Sequence, residues 1–319
     1  MTSHDALTGF WNVDKIKDLK RLPNNTSIDY LGFDRRQDIL VGSAIRAFQV
    51  EPLPKPKEGD RASGQEEEIG SSLKFGSSVI CKLQRPTISE LKAQVLWLRD
   101  YADLREDRTH EILLQAEEIL SGFTSIVPFD RPDKTKTLTL VSAVQEIAVL
   151  LEMQVKHYCR VPRPADFSKR IHPVVDTPDH SSFPSGHATE AFAMATVINH
   201  LESGKYPNED SDKQVFRLAH RIAVNRTVAG LHFPVDSAAG AALGCAIGSA
   251  LIALAQGTDK AEHRVYSFKK EDHYGADNDF HQKAMRELVS SGEPANKPKA
   301  VSVSDIYVDY WKAAREEWS

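Results

Sequence analysis

The chain has 319 residues, 41% of them hydrophobic, and its 40 Lys and Arg against 45 Asp and Glu leave a net charge of −5. That apolar share suffices for the core of one large domain or two ordinary ones. The acidic balance, with a pI near 6.2, argues against a nucleic-acid binder.

The first fifteen residues lack the basic and apolar regions of a secretory leader, so the expected compartment is the cytoplasm. Residues 1–50 show no clear periodicity. The stretch 51–72 is rich in Pro, Gly and charge and reads as a polar, mobile surface loop. Thr87 and Glu90 have the spacing of a capping box and open a helical stretch to residue 120, as one helix or two. Residues 130–136 are a polar break. Helices are then predicted over 138–158, 187–201, 212–230, 234–256, 280–290 and 304–318. Pro162 and Pro164 would end the first of these. The uncharged run 237–256 has nearly the ~20 residues of a membrane span. It is read instead as a core helix kept slim by Ala and Gly, since no second segment of spanning length stands out and mean hydropathy is −0.39. Cys81, Cys159 and Cys245 are widely spaced and form no CxxC pattern, so neither a zinc site nor a disulfide is expected. No alternating strand pattern of any length is seen. The predicted fold is all-α, a helical bundle with the active site at helix ends. Three parts are expected: an N-terminal extension over 1–85, a helical core over 86–260, and a C-terminal helical extension over 261–319 packing on the core.

Three stretches carry chemistry: KHYCRVPRP (156–164), PSGH (184–187) and NRTVAGLHFPVD (225–236). Lys156 and Arg163 can converge on one anion, the guanidinium as a planar fork and the ammonium as a point charge. Taken alone, such cations more often complement a helix C-terminus. Ser185 and Gly186 open a helix, where a hydroxyl and a free N–H favour an anion. Their plainer role is an N-cap. His187 would stand on the first turn. His232 and Asp236 are four apart, close enough for the carboxylate to hold one imidazole nitrogen and raise the basicity of the other. Arg226 adds a second guanidinium. A surface His–Asp pair is the plainer reading, and the ordered set of three motifs weighs against it.

In this order, K-x6-RP, PSGH and R-x5-H-x3-D resemble the superfamily of type 2 phosphatidic acid phosphatases, bacterial acid phosphatases and vanadium-dependent haloperoxidases, over about 138–256. One departure is Asn225, where many members have serine. The resemblance implies that Lys156, Arg163, Ser185, Gly186 and Arg226 hold the oxygens of vanadate or phosphate. It implies that His232 is the apical nucleophile or vanadium ligand, that Asp236 orients it, and that His187 is the acid–base residue. His180, seven residues before His187, has the spacing of a histidine in algal bromoperoxidases and is a fourth catalytic candidate. With no leader and no set of spans, the expected branch is a soluble haloperoxidase. Its cofactor would be vanadate, and its partners hydrogen peroxide, bromide or iodide, and a small organic acceptor. The alternative is an acid phosphatase that cleaves phosphomonoesters through a phosphohistidine, and HFPVD has counterparts in many phosphatases. A helical anion-binding module without turnover is a third reading. No nucleic-acid partner is expected, and a homo-oligomer is compatible with the chain.

Overall fold

The computed structural model describes residues 26–54, 69–257, 262–268, 273–295, 301 and 303–319. The leader expectation and most of the predicted polar loop (55–68) fall outside them. In chain order the elements are α1 (Phe33–Ala44), β1 (Phe48–Pro52), β2 (Gly70–Phe75), β3 (Ser78–Gln84), α2 (Ile88–Ala102), α3 (Arg105–Glu117) and α4 (Leu120–Ile126). There follow α5 (Thr135–Cys159), α6 (Pro164–Phe167), α7 (Gly186–Ser203), α8 (Gln214–Val228) and α9 (Pro234–Gln256), then β4 (His263–Ser267), α10 (Gln282–Ser290), β5 (Glu293–Ala295) and α11 (Asp305–Glu316).

The predicted helices are present with shifted ends. The stretch from residue 88 divides into α2 and α3. The capping box is real: the Glu90 N–H donates to Thr87 Oγ1 at 3.2 Å and the Thr87 N–H to Glu90 Oε2 at 2.6 Å. α5 stops at Cys159, before the prolines, with Arg160 in the left-handed region at φ 50°.

The fold is predominantly helical, but the all-α expectation is corrected by a five-stranded mixed sheet, in the order β1-β2-β3-β4-β5. β1 to β3 form an antiparallel meander. β4 lies parallel to β3, and β5 antiparallel to β4. The missed local signal is the hairpin: LKF and SVICKL flank Gly76-Ser77, and Gly76 supplies the positive φ of 55° that the tight turn needs. The β3–β4 pairing joins residues more than 180 apart and leaves no local pattern.

α9 is the axis of the helical part, buried from Pro234 to Ala255, and α7 packs along it. Gly240, Gly244 and Gly248, one turn apart, bring the two backbones together. A Cβ on Gly240 would lie 2.5 Å from the Ser185 carbonyl oxygen, and one on Gly244 2.3 Å from that of Thr189. The slim helix read from the sequence therefore sets where residue 185 sits. Gly244→Ala meets backbone, which cannot rotate away. The expected cost is about 1–3 kcal/mol or more, read as a lowered urea midpoint.

Candidate active site

The three motifs meet where α5 ends and α7 and α9 begin. His232 and Asp236 are buried, 5% and 0% exposed. Asp236 is in the first turn of α9. Its Oδ2 lies 3.2 Å from His232 Nδ1 and accepts the Phe233 N–H at 3.0 Å and the Ser182 hydroxyl. A carboxylate only accepts, so His232 Nδ1 carries the hydrogen and Nε2 keeps its lone pair. Arg163 Nη1 donates to that Nε2 at 3.0 Å. Burial, then Arg163, Lys156 and Arg226, push His232 well below its ordinary pKa, which keeps the ring neutral and Nε2 unprotonated.

The cations are deeply buried. Lys156 is 1% exposed, and its Nζ donates to the Pro184 and Ser181 carbonyls at 2.6 and 3.0 Å. Arg163 also donates to the carbonyls of Leu231 and His180. Arg226, in the last turn of α8, has no hydrogen-bond partner on Nε or Nη1 although both are buried. Leaving charged donors unpaired is costly, so this guanidinium suits an anion. Ser185 caps α7, and its own N–H donates to the Asp236 carbonyl at 2.9 Å. The His232–Asp236 pair and the start of α7 are thereby joined.

Two groups escaped the sequence reading. Glu152 is buried on α5, one turn before Lys156, with its Oε2 lacking a hydrogen bond but ion-paired with Lys156 Nζ at 3.8 Å. Its carboxylate rests against Gly186, where a Cβ would be 2.7 Å from Oε2. Glycine here thus makes room for a carboxylate. The four-residue step to Lys156 was the available signal. Ser182, also buried, steadies Asp236 and could be read only from the fold.

His187 Nε2 lies 2.9 Å from the Gln115 carbonyl of α3. Burial, then Arg226, push His187 down to about 3, and burial pushes His200 to about 4. Both fold neutral, whereas an unfolded histidine takes up its proton near pH 6.5. Between those values the unfolded chain holds more protons, so stability is lost as pH falls from about 6.5 toward 3. Urea midpoints are expected to drop from pH 7 to pH 4.5, and His187→Asn should flatten that slope. His180 is placed beside Arg163, with Nδ1 3.2 Å from Nη2. It lies with Lys156, His157, Arg160 and Asp179 along a pocket of about 600 Å³.

Comparisons with known proteins bear on the family of part of the chain. Residues 136–259 match the model of the PAP2 superfamily. A decaprenylphosphoryl-5-phosphoribose phosphatase of Mycobacterium tuberculosis, found in two strains, is 28% identical over 133 residues, 42% of this chain and 70% of that protein. A solved transmembrane PAP2-type phosphatidylglycerolphosphate phosphatase from Bacillus subtilis is 24% identical, covering 51% of this chain and 84% of its own, with a TM-score of 0.38. That likeness is too slight to transfer geometry.

Two expectations are overturned. The curated relative is a phosphatase, so the haloperoxidase reading is withdrawn, with its vanadium chemistry and its peroxide and halide partners. A lone histidine at the spacing of His180 was too generic to carry that reading, because the oxyanion residues serve both chemistries. The cytoplasmic, span-free expectation is withdrawn as well. Pro132–Phe167 as well as Pro234–Gln256 is long and apolar enough to cross a membrane. The sequence reading missed the first because its flanking charges masked an apolar window.

Proposed function

We propose that the chain is a phosphatase that hydrolyses phosphomonoesters through a phosphohistidine on His232. The observation that carries this reading is the unpaired, buried guanidinium of Arg226 beside a histidine whose Nδ1 is held by Asp236. Lys156, Arg163, Arg226, the Ser185 hydroxyl and the Gly186 N–H hold the non-bridging oxygens. An arriving phosphoryl group draws Arg163 off His232 Nε2 and frees the lone pair. With the phosphoryl group bound, His187 takes up a proton from solvent on Nδ1; His232 Nε2 then attacks phosphorus, the ester P–O bond breaks, and His187 gives that proton to the departing alkoxide. Neutral His187 next takes a proton from water, whose oxygen attacks the phosphohistidine. Inorganic phosphate leaves and His232 is restored. Burial first and the Arg226 charge second hold His187 neutral in the free protein, and a bound phosphate offsets the second, which favours that protonation. In this scheme His232 is a nucleophile and not a vanadium ligand, and vanadate is an inhibitor.

The test is hydrolysis of p-nitrophenyl phosphate and of a polyprenyl-linked phosphate ester without added metal. Turnover of at least one, inhibited by orthovanadate, is expected, because five-coordinate vanadate resembles the phosphoryl transition state. Phosphate binding with no turnover of either ester would leave an anion-binding module and sink the enzyme reading.

A further inference from the structure

The residue that departs from the family pattern, Asn225, is fully buried and makes three side-chain hydrogen bonds, all to α3. Its Oδ1 accepts from Arg108 Nη1 at 2.9 Å, and its Nδ2 donates to Glu111 Oε2 at 3.1 Å and to Gln115 Oε1 at 3.0 Å. Arg221 grips Glu111 from α8 through Nε at 2.7 Å and through Nη2. A small apolar cluster seats the same helix: Ile112 of α3 packs with Val224, Val228, Ala229 and Leu231. α3 lies outside the matched segment 136–259. Its last full turn nevertheless places the Gln115 carbonyl 2.9 Å from His187 Nε2. A carbonyl only accepts, so that nitrogen carries the hydrogen and Nδ1 is the one left for proton exchange. Serine at 225 could not span three partners.

We propose that Asn225 is a positioning residue that, through Gln115 of α3, fixes the tautomer and ring orientation of His187, so that the matched segment takes part of its acid–base machinery from a helix outside it. The catalytic consequence rests on the phosphatase reading, whereas the tautomer does not. The groups acting on His187 are Arg226 from α8, Lys156 from α5, Arg163 from the loop after α5, and the Gln115 carbonyl from α3. Of these only the carbonyl favours the imidazolium, since the other three are cations. Losing it moves the alkaline limb of kcat to lower pH.

The experiment follows the His187 ring by nitrogen NMR in the full chain, alongside kcat and KM for a phosphomonoester between pH 5 and 8. Wild type is expected to show a single Nε2–H tautomer. Asn225→Ala should give mixed tautomers, a kcat lowered about tenfold or more, KM within about twofold, and the shifted limb. Gln115→Ala, on a half-buried position, removes only the side-chain link and should move all readouts less in the same direction. Ile222→Val, a buried deletion on α8 away from these contacts, should lower stability by about 1 kcal/mol and leave the tautomer and pH profile alone. Wild-type His187 signals in both Asn225→Ala and Gln115→Ala, or equal changes in Ile222→Val, would overturn the proposal. Absence of turnover in wild type, with tautomers still responding to Asn225→Ala, would instead remove the phosphatase reading and keep the clamp.

Discussion

His232→Ala is expected to abolish phosphomonoester hydrolysis, lowering kcat by about a thousandfold or more, with the fold retained. The nucleophile would be gone: His232 Nε2, 3.0 Å from Arg163 Nη1, is the ring nitrogen whose partner nitrogen is held by a buried carboxylate. Rapid acid-free quenching of wild type should trap a phosphohistidine that is stable to base and labile to acid, absent from the variant. Asp236→Asn separates orientation from nucleophilicity. Its amide can donate to His232 Nδ1, which favours the wrong tautomer and places the hydrogen on Nε2. A fall of about 10³–10⁴ in kcat is expected, as for a triad whose orienting carboxylate becomes an amide. The amide also disturbs two further contacts, from Ser182 and the Phe233 N–H, so stability should fall as well. Near-normal turnover in His232→Ala, or a phosphoenzyme in that variant, would show that the nucleophile lies elsewhere.

The second large effect is expected at Arg226. In the free protein its Nε and Nη1 are buried without partners, and burial beside Arg163 pushes its pKa down to about 10. Arg226→Ala removes an unpaired charge, so the free protein should hold or gain stability. Phosphate and vanadate binding should weaken by about 2–5 kcal/mol, the range for losing one partner of a buried charge pair. Opposite signs for stability and binding identify a site held ready for an anion. Arg226→Lys should recover little affinity, because an ammonium cannot present the planar fork. Calorimetry with inorganic phosphate, together with urea unfolding, reads both. Unchanged affinity, or a large loss of stability, would mean that Arg226 is a structural charge.

Much of the site was legible in the sequence because its groups lie at fixed helical offsets. His232 and Asp236 are four residues apart at the start of a helix, and Ser185 and Gly186 open another. Proline and glycine mark the first turns of these helices, so local geometry alone aims the groups toward helix ends. Glu152 obeyed the same four-residue rule relative to Lys156. It was passed over because a single carboxylate in an apolar run reads as an isolated charge. The haloperoxidase branch failed for the opposite reason. One loop histidine was asked to separate two chemistries that use the same oxyanion cage, and the structure seats that histidine against Arg163.

The sequence by itself determined the helices, the core role of α9 and which residues are candidates to hold an oxyanion. These depend on periodicity, side-chain size and spacing within one element. Only the tertiary structure decided the sheet, since β3 and β4 pair across more than 180 residues, and only it brought Ser182 to Asp236. It alone placed α3 against Asn225 and His187, contacts made by residues 72 to 117 apart. Contacts of that kind depend on how apolar faces such as Ile112 and Val228 pack together, and no local pattern encodes them.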